Sequence, residues 1–250
     1  MAVSYSGGRI VLDKPPANSY DIDFMRELGE AVDAAGADAD ARVVVVSSES
    51  EKFFSAGADI KAFLANDVEA NMEMIRVAHD SLGRMARSDK LFVAFIAGHA
   101  LGGGLEIALA CDLRYGLESG YRLGTPEVTL GLLPGNGGTQ RLPRLIGLGP
   151  ALDLLLTGRQ VEPGEARSLG ILNGVFASEE EFDAQVERLA TLPPLAVANI
   201  KRAAYRGSQL SLDDGLELER ELIEELFRSH DAREGLEAFT EKRTPAFTGA

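Results

Sequence analysis

Two glutamates beside glycine clusters are the residues of this chain best placed to do chemistry. Glu106 lies three positions after Gly103 in LFVAFIAGHALGGGLEIALACD, Leu91 to Asp112. Glu127 follows Thr125 and Pro126, ahead of a loop carrying Gly135, Gly137 and Gly138. A carboxyl in the first turn of a helix can face whatever the helix start faces, and the first amides of a helix have no partner inside it. Glycine before such a start lets a ligand approach the backbone closely. The stretch from Leu91 therefore offers backbone donors for a developing negative charge next to a group that can move a proton. A close strand and helix contact needing no side chains would use the same glycines, and a capping or solvated glutamate would equally account for Glu127 alone.

Other readings of the glycines fail in detail. Gly98 and Gly103 have the spacing of a phosphate-binding loop, yet Gly104 and Leu105 stand where Lys and Ser or Thr are required. No third glycine completes a dinucleotide fingerprint after Gly102 and Gly104. As a membrane span the stretch would carry His99, Glu106 and three consecutive glycines near its middle.

The elements that must position these groups follow from hydrophobic period. Phe92 to Ile96 reads as a strand, with a helix starting near Gly103. Upstream, Arg9 to Leu12 reads as a short strand, and Pro15, Pro16 and Asn18 as a turn. Asp21 starts a helix in which Ile22, Met25, Leu28 and Val32 share one face. Arg42 to Ser47, with four consecutive valines, suits a strand covered on both faces of a sheet. Ser55, Ala56, Gly57 and Ala58 form a second small-residue approach before a helix resumes near Ile60. Asn66 to Arg87 is helical, with Met72, Ile75, Leu82 and Met85 expected inward, and His79 expected to be packed or solvated. Leu113 to Leu117 and Tyr121 to Leu123 read as strands, and Thr139 to Leu145 as a helix. Strands alternating with helices predict an α/β fold.

Composition bounds the partners. The 250 residues are 45% hydrophobic, enough for a sizeable core in one domain, and the net charge of −14 disfavours nucleic acid and anionic membrane. The single cysteine, Cys111, excludes an internal disulfide and sits on an apolar helix face, where an inert buried thiol is expected. The start MAVSYSGG has no basic-then-apolar pattern, so the cytoplasm is the expected compartment.

Four blocks in this order carry a family resemblance: SAGADI (Ser55 to Ile60), HALGGGLEIALACD (His99 to Asp112), GTPEVTLGLLPGNGGTQRLPRLIG (Gly124 to Gly147) and AFTEKRTPAF near the end. Together they resemble the crotonase superfamily, and within it the enoyl-CoA hydratases. The resemblance implies a core of repeated ββα turns over residues 1–192 and a helical C-terminal trimerisation part over 193–250, with the boundary at Pro193 and Pro194. It implies a homotrimer or a hexamer made of two trimers. By the same resemblance Glu106 and Glu127 are the catalytic pair, and the amides of Ala56 and Gly103 form the oxyanion hole. Glu106 would activate water and Glu127 deliver the proton at C2. Coenzyme A would enter only as part of the acyl-CoA substrate, with no separate cofactor and no metal. Ala58, Asp59, Ile60 and Lys61, with Phe239 and Lys242 from a neighbouring subunit, are expected to hold it. Double-bond isomerisation, hydrolysis or decarboxylation of an acyl-CoA, or non-catalytic acyl-CoA binding, fit the same blocks.

Two departures from the hydratase pattern stand out. PPANSYD (Pro15 to Asp21) replaces the commoner Asn-Ala-Leu lead-in to the first helix, and the link Glu118 to Tyr121 is one residue longer than usual.

Overall fold

The computed structural model describes all 250 residues. A hairpin of β1 (Val3–Ser6) and β2 (Arg9–Leu12) leads through the proline turn to α1 (Ile22–Ala37). The Asp21 carboxylate caps this helix, accepting from Phe24 N at 3.0 Å. That satisfies one of the donors a helix start leaves free.

Three strand, strand, helix units follow. The first is β3 (Val43–Ser48), β4 (Phe53–Ser55) and α2 (Ile60–Ala65), extended by the long α3 (Val68–Arg87). The second is β5 (Leu91–Ile96), β6 (His99–Leu101) and α4 (Gly103–Ala110). The third is β7 (Leu113–Leu117), β8 (Leu123–Gly124) and a short 3-10 helix, Pro126–Leu130. In each unit the first strand joins one sheet and the second joins another. The large sheet runs β1-β2-β3-β5-β7-β9, where β9 is Gly174–Phe176; the small one runs β4-β6-β8. All pairings except β1 with β2 are parallel.

The four valines show why the large sheet needs cover on both faces. Val44 and Val46 join the main core with Phe24, Leu28, Phe92 and Leu105. Val43 and Val45 face the other way, with Val93, Phe95 and Phe182. Phe182 belongs to α8 (Glu179–Ala190), which closes that second face; its ring stacks on Phe95 at 4.1 Å. Between the third unit and α8 come α5 (Gly138–Ile146), α6 (Leu148–Thr157) and α7 (Pro163–Leu169).

The rest of the chain is helical. Pro193 is the N-cap of α9 (Pro194–Gly207), followed by α10 (Leu212–Phe227) and α11 (His230–Glu241). A buried ion pair fixes α9 to the core: Lys201 Nζ lies 2.7 Å from Asp112 Oδ2 and also donates to the carbonyls of Met85 and Lys90. Asp112 further accepts from Phe92 N and from the Tyr205 hydroxyl, so neither charge is left uncompensated. The apolar stripe of α10 is less covered: the helix has no buried residue, and Phe227 is 71% exposed.

Two sequence expectations shift. The strand read at Tyr121 to Leu123 is Leu123–Gly124, with Tyr121 buried before it. On α3 Leu82 and Met85 are buried as expected, but the third inward position is Met74 and not Met72, which is exposed. Asp67 caps that helix, and the face that packs on α1 leaves Met72 and Val68 off the core. Cys111 is buried as expected, and burial pushes its thiol up to about 12.

Candidate active site

Glu106 reaches the site from the first turn of α4. Gly102, the N-cap, has φ of 54°, which only glycine adopts without strain. The side chain is 1% exposed, and its Oε1 accepts from the amides of Gly138 at 2.6 Å and Asn136 at 2.8 Å. Oε2 accepts from nothing in the chain. Burial raises this carboxyl from its ordinary range to about 7, and nearby Glu127 pushes the same way, while the two amides and Arg141 pull it down.

Glu127 comes from the 3-10 helix at the end of the third unit. A Cβ added at Gly102 would meet its Oε1 at 2.8 Å, so the carboxyl rests against the glycine turn. Its Oε2 is buried with no partner, and burial raises its pKa. The link before it is an exposed bend ahead of β8. The extra length falls in the bend Glu118–Gly120, while pairing of Leu101 with Gly124 fixes the strand from which Glu127 follows.

The donors are backbone amides. Gly103 N–H, at the start of α4, has no acceptor in the chain. The expected second donor, Ala56, is excluded: its amide donates to Ala17 O at 2.9 Å. Two residues on, Ala58 N–H is free, and Tyr20 brackets it, donating to Gly57 O at 2.9 Å and accepting from Asp59 N at 2.8 Å. Gly57 brings this loop against the Gly103 turn; a Cβ there would stand 3.2 Å from Gly103 N. The free pair is thus Ala58 and Gly103. The small residues of the sequence could not say which amide the chain itself would consume.

Asp59 caps α2 through Lys61 N, and Ile60 and Lys61 are exposed beside it. Phe239 and Lys242 join no part of this group within the single chain. They lie on and after α11, which packs on α10, and Phe239 is 87% exposed. Sequence reasoning missed Tyr20 and Asn136. Asn136 Nδ2 donates to the buried Tyr20 hydroxyl at 2.5 Å, across 116 positions of chain. The only advance sign was the unusual PPANSYD lead-in.

Two raised carboxyls beside two free amides form a site for proton transfer next to a stabilised oxyanion. A sequence model of the family "Enoyl-CoA hydratase/isomerase" matches residues 6–250. The chain is 39% identical to a probable enoyl-CoA hydratase of Rhizobium meliloti, over 96% of this chain and 93% of that one. It is 36% identical to a probable enoyl-CoA hydratase of Bacillus subtilis, over 100% and 98%. A solved enoyl-CoA hydratase structure from Geobacillus kaustophilus superposes with a TM-score of 0.94 at 42% identity, covering 99% of this chain and 96% of that one. The chain belongs to the enoyl-CoA hydratase/isomerase family, within the crotonase superfamily.

Proposed function

We propose that this protein is an enoyl-CoA hydratase, adding water across the C2–C3 double bond of a 2-enoyl-CoA thioester. The observation that carries the reading is the pairing of Glu106 and Glu127, both raised by burial, beside the free amides of Ala58 and Gly103. Water attacks C3, the double-bond electrons move onto the thioester oxygen, and the two amides hold that oxygen as an enolate. Glu106 takes the water proton on Oε2, since its Oε1 is engaged by amides that favour the charged form. Glu127, whose buried Oε2 favours the neutral form, gives its proton to C2. Proton return from Glu106 to Glu127 resets the pair, which titrates as a coupled unit.

The acyl chain fits against α3. Val68, Met72, Ile75 and His79 fall on one helix face, with Ile75 against Gly135 and His79 Nε2 2.6 Å from Gly135 O. The exposure of Val68 and Met72 suits an apolar wall leading away from the carboxyls. Lys61 is the local cation for the polyanionic coenzyme A portion. The uncovered apolar residues of α10 and α11 support assembly as a homotrimer or a dimer of trimers, in which Phe239 and Lys242 would reach a neighbour's coenzyme A. No helix is long and apolar enough to cross a membrane, and the cytoplasm is the compartment we assign.

Crotonyl-CoA tests the reading. Loss of the conjugated-thioester absorbance is expected. No loss, with conjugation appearing instead from a 3-enoyl-CoA, would make the protein an isomerase; binding without either change would make it a non-catalytic acyl-CoA protein.

A further inference from the structure

Tyr20 is a buried polar group beside the carboxyl pair that hydration, as derived above, leaves without a role. It is 3% exposed, its hydroxyl accepts from Asn136, and its own proton has no acceptor in the chain. Its main chain brackets the Ala58 amide. Its ring fills the space where any residue but glycine at 103 would place a Cβ. Asn136, 1% exposed, offers its main-chain amide to Glu106 and its carbonyl to Arg141 Nη1 at 2.8 Å, while its side-chain Oδ1 has no partner. One residue thus reaches both oxyanion amides and, through Asn136, the cradle of the catalytic base.

We propose that Tyr20 and Asn136 are a positioning pair for the reaction. Their hydrogen bond holds the Asn136 amide on Glu106 while the Tyr20 ring sets the Gly103 turn. This couples the geometry of proton transfer to that of enolate binding. The inference rests on the acid–base reading of Glu106 given above. Removing the phenol oxygen leaves the Asn136 carboxamide without its anchor and loosens the amide bond that favours the charged carboxylate, so the protonated form gains. The charged or titratable groups facing Glu106 are Glu127 from the 3-10 helix, Arg141 from α5 and Tyr20 itself. On α3, His79 reaches only as far as the Gly135 carbonyl. Tyr20→Phe leaves all of these but the phenol in place.

The test reads the Glu106 carboxyl directly, by carbon NMR titration of glutamate-labelled protein, with Glu106→Gln identifying the resonance. No substrate is needed. Wild type is expected to titrate at about 7. Tyr20→Phe should titrate roughly half to one unit higher, from the weakened hydrogen bond to the charged form. Asn136→Ala, which keeps the main-chain amide, should give the same shift, and the double variant no more than either alone. Crotonyl-CoA turnover of either variant should fall roughly 2- to 5-fold at pH 7 with KM held, and the acid limb of its pH profile should move up with the Glu106 midpoint. Unmoved midpoints, or shifts that add in the double variant, would overturn the pair. Shifted midpoints in a protein that does not hydrate crotonyl-CoA would uphold the pair and sink the proposed function instead.

Discussion

Two buried carboxyls in this chain each accept two backbone amides, and they titrate in opposite directions. At Glu106 both amides fall on one oxygen, the other oxygen is bare, and a second carboxyl stands nearby; burial wins and the group rises to about 7. At Asp231, in the first turn of α11, burial also pushes up. There Thr248 N lies on Oδ1 and Gly249 N on Oδ2, and with the Thr248 hydroxyl and His230 they outweigh burial and lower the pKa. The number of backbone amides is the same in both places. What differs is that Asp231 has a hydroxyl and His230 besides, with donors on both oxygens, while Glu106 has one bare oxygen and a second carboxyl beside it. A carboxylate satisfied at both oxygens is a fixed anion that ties the chain end to α11, whereas one satisfied at a single oxygen keeps a face for protons.

The largest effect that can break this contrast is on turnover. Glu106→Gln and Glu127→Gln should each lower crotonyl-CoA hydration by about 10² to 10⁴, the worth of one acid or base, with binding of the thioester little changed. Asp231→Asn should leave turnover per folded molecule within a few-fold of wild type, and a loss as large as that of Glu106→Gln would erase the distinction. Next comes the donor pair. Alanine or proline at Gly103 cannot isolate its amide, because either Cβ would overlap Tyr20. Replacing the Gly103 amide by an ester, through incorporation of the hydroxy acid, removes only the N–H. Turnover should fall about 10² to 10³ with the melting temperature nearly kept, and ester protein of wild-type activity would rule this donor out.

Stability sharpens the contrast with opposite signs. Glu106 binds its proton more tightly folded than unfolded, so its contribution is full below about 4.5 and is lost as the pH climbs through about 7. Glu106→Gln, which cannot ionise, should therefore gain on wild type in urea unfolding between pH 5 and pH 8.5, by up to about 3 kcal/mol. Asp231 behaves inversely, contributing above 3.8 and losing that contribution as the pH falls through its lowered folded value. Asp231→Asn should cost about 1 to 3 kcal/mol near neutral pH, and the gap to wild type should close in acid. A gap that widened in acid would contradict the assignment of Asp231 as a fixed anion.

Local signals were legible where a single stretch of chain decides the outcome. The Asp21 cap, the valine strand buried on both faces and the helix start at Gly103 follow from period and capping alone. Glu106 and Glu127 stood out because each follows directly on a small-residue turn. What stayed hidden depended on distant partners. Ala56 and Ala58 are the same residue type two positions apart, and only the Ala17 carbonyl decides which amide is spent. Tyr20 and Asn136 meet only because α1 and α5 start at the same opening. Met72 exchanged places with Met74 because packing on the distant α1 decides which face of α3 turns inward, and two methionines two positions apart leave that ambiguous.

The three strand, strand, helix units hand over the site one part at a time: Ala58 after β4, Gly103 and Glu106 after β6, Glu127 after β8. The small sheet β4-β6-β8 is therefore the common datum from which every reacting group is measured. Extra residues ahead of β8 are absorbed as slack, because the bend Glu118–Gly120 is exposed and a Cβ on Gly120 would meet nothing. One extra residue after a strand is not absorbed. Between Gly124 and Glu127 it would carry the carboxyl out of reach of the thioester by about the rise of a single residue, roughly 3.3 Å. Tolerance to insertion around β8 is thus set by direction along the chain: a single residue inserted at Ser119 or Gly120 should be silent, and one inserted between Gly124 and Glu127 inactive.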